Sequence, residues 1–94
     1  MRKILEIDGI KIAITMKPTG EELGKFYFYS QKYDIWCLDD SWRVAQEDLA
    51  WILRDKVEAY ISTPYSNMTT KREKRKWKAY RELVDRGLQY HRTI

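Results

Sequence analysis

The fold of this chain is most strongly indicated by RKILEIDGIKIAITM, residues 2–16, in which Asp8-Gly9 separates two β-rich runs. An Asp-Gly pair tolerates positive φ and suits the two-residue type I′ turn of a β-hairpin. Closing the hairpin at this turn places Leu5 opposite Ile12 on an apolar face, while the other face is mixed. The stretch therefore predicts two antiparallel strands with one face on a core. The predicted strands are about residues 2–7 and 10–16.

A second hairpin is predicted from the aromatic run FYFY at residues 26–29 and the run IWCL at residues 35–38. Both runs are rich in residues that favour strands, and a polar gap separates them. With residues 30–34 as the turn region, Phe28 lies opposite Trp36 on the core face, and the tyrosine hydroxyls point to the rim. The predicted strands are about residues 25–29 and 35–38, after a loop at residues 17–24 that contains a proline and two glycines.

Two helices are predicted after the strands. Ser41 is the N-cap candidate of the first helix, whose apolar residues recur at helical spacing until Pro64 stops the helix. Thr70 and Glu73 fit a capping box at the start of the second helix, and Gly87 suits a left-handed residue after its end. The predicted helices are about residues 42–62 and 71–86, with residues 88–94 as a tail.

The order of these elements predicts an α+β fold, with two antiparallel β-hairpins in a four-stranded sheet followed by two α-helices packed on one face. A length of 94 residues suits a single domain over residues 1–94. The composition, 44% hydrophobic and 14% aromatic, excludes an intrinsically disordered chain. Cys37 is the only cysteine, and the sequence contains neither a signal-peptide core nor an apolar run of membrane length. A cytoplasmic protein without a membrane partner is therefore expected.

The positive charge of the chain is concentrated in KREKRKWKAYR, residues 71–81, which holds seven basic residues and one acid. Residues 1–70 carry nine Lys or Arg residues against eleven Asp or Glu residues, so the rest of the fold is mildly acidic. Such asymmetry indicates a negatively charged partner. Because the basic excess belongs to the predicted second helix, that helix is the principal candidate for a binding surface.

Basic side chains in the first turns of a helix are unfavourable for folding itself. They oppose the helix dipole by about 0.3–1 kcal/mol for each poorly placed charge, and like charges four residues apart, such as Lys71 and Arg75, repel each other. Phosphates would offset this cost and release condensed counterions. The expected partner is nucleic acid or an acidic protein surface, with a solvated helix that only keeps the chain soluble as the alternative. The candidate contact residues are Lys71, Arg72, Lys74, Arg75, Lys78 and Arg81.

Two further sets of residues are candidates for recognition. Trp77 and Tyr80 are spaced as core residues, so tyrosines near the second hairpin are the better candidates for stacking on bases, with ordinary cross-strand packing as the alternative. Acidic residues of the first helix would attract a basic partner or a second copy of the chain. The stacking candidates are Tyr27, Tyr29 and Tyr33, and the acidic candidates are Glu47, Asp48, Asp55 and Glu58.

No pattern in the sequence argues for catalysis, a metal or a cofactor. Asp39-Asp40 with Glu47-Asp48 is the only acidic cluster that suggests a metal or nuclease site, and helix geometry does not require the two pairs to converge. The single histidine, His91, lies in the predicted tail without an orienting carboxylate or a ligand set. Glycine motifs for nucleotides and paired Cys/His motifs are absent from the sequence. We therefore expect a protein that is not an enzyme.

The leading hypothesis is a small non-enzymatic binding protein whose basic helix engages nucleic acid or a nucleoprotein machine, in a regulatory or mobile-element accessory role. One alternative is a protein-directed inhibitor, for example a phage-encoded inhibitor of a host defence nuclease, that acts by surface occlusion. Another alternative is a structural homodimer in which the acidic first helix of one copy meets the basic second helix of the other. Each hypothesis gives the basic helix a role in binding.

Overall fold

The computed structural model describes residues 1–20 and 25–90. Its elements are β1 (Arg2–Ile7), β2 (Ile10–Pro18), β3 (Phe26–Ser30), β4 (Ile35–Asp39), α1 (Trp42–Ile61), a short 3₁₀ helix (Tyr65–Asn67) and α2 (Lys71–Asp85). The strands form one antiparallel sheet in the order β1-β2-β3-β4, and the two helices pack against one face. This arrangement confirms the predicted α+β fold. Residues 21–24 of the predicted loop and residues 91–94 of the predicted tail, including His91, lie outside the described residues.

The first hairpin has the predicted register. Asp8 and Gly9 form its turn with φ values of 51° and 78°, and Leu5 pairs with Ile12. Side chains on one face of the hairpin are buried, whereas those on the other face are exposed or half-buried, as the alternation predicts. The first hairpin supplies one wall of the hydrophobic core through Leu5, Ile7, Ile10, Ile12 and Ile14.

The second hairpin differs from the prediction by one residue in register. Phe28 pairs with Cys37 instead of Trp36, because Ser30 belongs to β3 and the turn consists of the four residues 31–34. A shift of one residue exchanges the two faces of a strand. Trp36 consequently lies on the outer face of the sheet instead of in the core. The residues of β4 that face the core are Ile35 and Cys37.

Helix α1 begins at the predicted N-cap. The Ser41 hydroxyl accepts a hydrogen bond from the Val44 N–H at 3.3 Å, which satisfies one of the free N–H groups at the start of the helix. The helix ends at Ile61, and Pro64 follows in an extended conformation. Neither helix of the described residues is long and apolar enough to span a bilayer. The fully buried stripe of α1 consists of Ala45, Leu49, Leu53 and Val57.

Helix α2 has the predicted caps at both ends. The Thr70 hydroxyl accepts a hydrogen bond from the Glu73 N–H at 3.0 Å, and the Glu73 carboxylate accepts one from the Thr70 N–H at 3.3 Å, which confirms the capping box. At the other end Gly87 has a φ of 108°, and the Leu88 N–H donates to the Leu83 carbonyl oxygen at 2.9 Å. Leu88, the first residue of the predicted tail, is buried in the hydrophobic core.

Each hairpin turn is tied to the helices by one aspartate. The Asp8 carboxylate accepts hydrogen bonds from Arg54 of α1 at 2.7 Å and from the Gln89 N–H at 2.8 Å, and these bonds lower the pKa of Asp8. The Asp34 carboxylate accepts a hydrogen bond from Lys76 of α2, which lowers the pKa of Asp34. Both aspartates have positive φ, at 51° and 52°. The two turns therefore hold the helix layer against the sheet by charge as well as by apolar packing.

Candidate nucleic-acid interface

The six basic candidates lie on the outward face of α2 because the opposite face is fixed to the core. Tyr80 is fully buried, and the Trp77 indole N–H donates a hydrogen bond to the Thr63 carbonyl oxygen at 2.9 Å. These contacts determine how the helix is rotated about its own axis. The cations that this rotation leaves exposed are Lys71, Arg72, Lys74, Arg75, Lys78 and Arg81.

Four of these cations have no carboxylate partner among the described residues. The exposed cations that form no ion pair with any acid in the described part of the chain are Lys71, Lys74, Arg75 and Lys78. By contrast, the Arg81 Nε lies 3.3 Å from the Asp85 carboxylate, one turn along the same helix. The first half of α2 therefore presents positive charge that no acid in residues 1–20 or 25–90 neutralises.

Arg72 and Lys78 have contacts that leave them open to an anion. Arg72 lies 4.0 Å from the Asp34 carboxylate with its side chain 77% exposed, and such an ion pair contributes little in water. The Lys78 ammonium lies 5.4 Å from the centre of the Tyr65 ring, a cation–π contact at an exposed position. Both side chains therefore extend the uncompensated charge of the neighbouring cations.

Glu73, the single acid of the basic run, is used by the helix cap. Its carboxylate accepts hydrogen bonds from the Thr69 hydroxyl at 2.9 Å and from the Thr70 N–H, and these bonds lower the pKa of Glu73. The negative charge thus lies at the N-terminus of α2, where the helix dipole favours it. It forms no ion pair with a cation in residues 1–20 or 25–90, so the exposed basic face is not neutralised from within the run.

A groove of about 430 Å³ separates the β3–β4 turn from α2. Cations reach it from two elements, because Lys32 belongs to the turn and Arg75 belongs to the helix. A concave surface lined by charges of one sign focuses the electrostatic potential and attracts counterions of opposite sign. The groove therefore adds a concave surface with cations to the convex face of α2. Its lining residues are Gln31, Lys32, Arg72, Arg75, Lys76 and Ala79.

Sequence reasoning missed the contribution of Lys32, whereas Lys76 is already absent from the candidate contact residues. The Lys76 side chain is only 17% exposed and binds the Asp34 carboxylate, so its charge is compensated inside the fold. Its position four residues before Tyr80, on the inward side of the helix, is the signal that distinguishes it. No sequence pattern brings Lys32 beside α2, because that contact exists only in the tertiary structure.

The structure separates the three tyrosine candidates. Tyr27 and Tyr29 lie on the outer face of the sheet, where their rings stack with centroids 4.8 Å apart. The grouping of Tyr33 with them is wrong, because Tyr33 is only 6% exposed and packs against Tyr80 with ring centroids 6.5 Å apart. Trp36 joins the two outer tyrosines instead, as a consequence of the strand register.

The four acidic candidates lie on α1 outside its buried stripe. Glu47, Asp55 and Glu58 share one side of the helix with Trp51, since successive members of this set are three or four residues apart. Trp51 is 65% exposed, so a large aromatic side chain lies on the surface between these acidic residues. Asp48 follows Glu47 on the same exposed surface. The acidic face of α1 is therefore a second charged surface of the molecule.

Asp48 also approaches Asp39 at the end of β4, a contact that helix geometry permits but does not require. A hydrogen bond between the two side chains, together with burial and the charge of Asp39, raises the pKa of Asp48. Hard cations such as Ca²⁺ take six or more oxygen ligands, which two carboxylates do not supply. Within residues 1–20 and 25–90, no group of three or more His, Cys, Asp or Glu residues could hold a metal ion.

Comparison of this chain with protein-family models, with curated proteins and with solved structures finds no match. The functional argument therefore rests on the surfaces themselves. Two of their properties bear on function: the cations of α2 without carboxylate partners, and the groove that places cations from two elements around one concavity.

Proposed function

We propose that this protein is a non-enzymatic nucleic-acid-binding protein that contacts phosphates through the outward face of α2 and the adjoining groove. The observation that carries the proposal is the set of exposed cations of α2 that have no carboxylate partner among the described residues, Lys71, Lys74, Arg75 and Lys78. Such cations repel one another and oppose the dipole of their own helix. A phosphate ligand makes the same charges favourable, which accounts for their concentration at this end of the helix.

The distribution of the charges favours a polyanion over a single small anion. Lys71 and Arg81 are ten positions apart, which corresponds to about 15 Å along the helix axis. Several phosphates of one nucleic-acid strand fit within that length, and each neutralised phosphate releases condensed counterion. Contacts of this kind position a protein on nucleic acid without reading its bases. The proposed setting is the cytoplasm, in a regulatory or accessory role with nucleic acid or a nucleoprotein complex as the partner.

The proposal is tested by fluorescence anisotropy with a labelled DNA duplex and a labelled single strand, each titrated at several salt concentrations. The variant that removes the basic face is Lys74→Glu/Arg75→Glu/Lys78→Glu. A matched control makes the same change in net charge at exposed positions outside the basic run, with Lys25→Glu/Arg43→Glu/Arg86→Glu. The comparison separates the local surface from the overall charge of the protein.

We expect the native protein to bind and to lose affinity with salt, with a log–log slope of about −0.9 for each phosphate contact on duplex DNA. The basic-face variant should lose binding, whereas the control should retain most of the native affinity. Equal affinity of the native protein and the basic-face variant would contradict the proposal. Equal losses in both variants would also contradict it, because net charge alone would then carry the binding.

A second candidate function is binding to a basic protein surface through the acidic face of α1. The observation that favours it is Trp51, since an exposed tryptophan among acids has the chemistry of an interface anchor for Lys and Arg side chains. An inhibitor that occludes a partner would use such a face. Affinity capture from native cells, with nuclease treatment, discriminates between the two functions. A stoichiometric protein that stays bound after nuclease treatment and is lost with Trp51→Ala supports binding to a protein through α1. Proteins that nuclease treatment releases support binding to nucleic acid through α2.

A further inference from the structure

The outer face of the sheet, opposite the helices, is uncovered in the described part of the chain. Strand pairing aligns its side chains in rows across the sheet. One row crosses all four strands through Arg2, Thr15, Tyr29 and Trp36. A neighbouring row consists of Lys17, Tyr27 and Leu38.

Three aromatic rings form one cluster on this face, which we name the aromatic platform: Tyr27, Tyr29 and Trp36. The two tyrosine rings stack with centroids 4.8 Å apart and an interplanar angle of 25°. Trp36 meets Tyr27 edge-on, with centroids 5.9 Å apart and an angle of 78°. Trp36 remains 54% exposed, so much of its ring is available to a ligand. Exposed apolar surface of this kind marks an interaction site more often than a structural one.

The charges on the part of this outer face that β1 and β2 form are mainly positive. Arg2, Lys11 and Lys17 occupy outward positions of β1 and β2, where Glu6 is the only acid. The Lys17 ammonium lies 5.6 Å from the centre of the Tyr29 ring. The centre of a protein–protein interface is depleted of charged residues, whereas a single nucleic-acid strand needs rings for its bases and cations for its phosphates. The composition of this face therefore fits a nucleic-acid strand better than a protein.

The aromatic platform adjoins the groove beside α2. Tyr29 and Trp36 are the last outward-facing pair of the second hairpin before its turn. Gln31 and Lys32, which belong to that turn, line the groove. The turn thus connects the two surfaces, so a ligand that extends from the platform around this turn would reach the groove.

We infer that the aromatic platform stacks on unpaired bases and that the ligand of this protein is single-stranded nucleic acid. The inference rests on the proposed function, because α2 and the groove supply the phosphate contacts. Stacking of a base on an aromatic side chain contributes about 1–3 kcal/mol and depends little on which base it is. A duplex keeps its base faces inside the helix, so it can use the cations of α2 but not the platform. Loss of a platform ring should therefore weaken single-strand binding selectively.

The test compares Trp36→Ala with Trp51→Ala, a control that removes another exposed tryptophan from the opposite layer of the fold. Each variant is titrated by anisotropy with labelled oligothymidine of about 15 nucleotides, a length that one small binding domain can cover, and with a duplex of equal length. We expect Trp36→Ala to weaken oligothymidine binding roughly 5- to 100-fold and to leave duplex binding unchanged. Trp36→Phe, which keeps a ring, should retain most of the affinity, and Trp51→Ala should match the native protein.

The outcomes distinguish this inference from the proposed function. Native oligothymidine affinity in both Trp36→Ala and Tyr29→Ala, with binding lost only in the basic-face variant, would overturn the inference and leave the proposed function standing. Equal weakening of duplex and oligothymidine binding by Trp36→Ala would also overturn base stacking. A native protein that binds neither ligand would overturn both proposals.

Discussion

The phenolic hydroxyl of Tyr80 donates a hydrogen bond of 2.6 Å to the backbone carbonyl oxygen of Tyr33. Both residues are buried, and burial raises the pKa of the Tyr80 hydroxyl, so it stays protonated as a donor at neutral pH. The bond joins α2 to the turn between β3 and β4. Because these two elements line the groove, the shape of the groove depends on a buried contact behind it.

Removing this hydroxyl should destabilise the protein without changing the ring packing. We expect Tyr80→Phe to lower the free energy of unfolding by about 1–2 kcal/mol, because the Tyr33 carbonyl oxygen loses its buried partner. Urea denaturation followed by circular dichroism measures the change. Tyr29→Phe removes a hydroxyl from the outer face and should stay within about 0.5 kcal/mol of the native value. Equal effects of the two substitutions would show that the buried bond has no special contribution.

The Asp34 carboxylate should make the free energy of unfolding depend on pH in the acidic range. Hydrogen bonding to Lys76 lowers the pKa of Asp34 in the folded state, so its contribution is present above about pH 4 and is lost as the pH falls through the folded-state pKa. We expect Asp34→Asn to cost roughly 1 kcal/mol at neutral pH and much less in strong acid. Urea denaturation over this pH range gives the free energy of unfolding of both proteins.

Asparagine is the suitable replacement because it also tolerates the φ of 52° at this position. Asp34→Ala serves as the comparison, since it removes the carboxylate and adds backbone strain. Its additional cost should therefore persist in acid. A constant difference between the native protein and Asp34→Asn at every pH would contradict the assigned role of the charge.

The capping box should contribute to the stability of the basic helix. We expect Thr70→Ala to lower the free energy of unfolding by about 1 kcal/mol, because the Glu73 N–H loses its acceptor at the start of α2. Thr70→Ser keeps the hydroxyl and should remain close to the native protein. Thermal and urea denaturation of the three proteins test this ranking. A serine variant as unstable as the alanine variant would show that the threonine methyl group matters more than the cap.

The Cys37 thiol should be unreactive in the folded protein. It is buried beside the Ala45 carbonyl oxygen, and burial, with a smaller contribution from Asp39, raises its pKa to about 12. The thiolate is the reactive form, and at pH 8 it would be present at about one part in ten thousand. Labelling with a chromogenic disulfide reagent should be slow in native buffer and fast in urea. Rapid labelling of the folded protein would contradict this burial.

The element order could be predicted from the sequence because each signal lies within a few neighbouring residues. Asp8-Gly9 fixes a turn by its own backbone preference, and Thr70 with Glu73 defines a helix start across a single turn. The register of the second hairpin could not be predicted in this way. The run at residues 35–38 has apolar side chains on both faces, so the choice of face depends on the length of the turn before it.

Only the part of the candidate site that stands out by its amino-acid composition could be predicted from the sequence. The cations of α2 stand out by their density, and the inward position of Tyr80 then determines which of them face solvent. The groove and the aromatic platform bring together residues that are distant in sequence, since Lys32 and Arg75 line one groove and Trp36 contacts Tyr27. Such contacts between distant residues do not produce a periodic pattern in a single sequence. Prediction of the platform would also have required the correct register of the second hairpin.

The contact between Asp8 and Gln89 has a consequence for the order in which the chain folds. Their hydrogen bond joins residues 81 positions apart, whereas every strand of the sheet pairs with its neighbour in sequence. Closing a short loop costs less entropy than closing a long one, so hairpins form readily and the Asp8 contact closes late. We expect the amide of Gln89 to exchange its hydrogen well before those of β2, which native-state hydrogen exchange would record. We therefore expect the first turn of the chain to form early and its contact with Gln89 to form late.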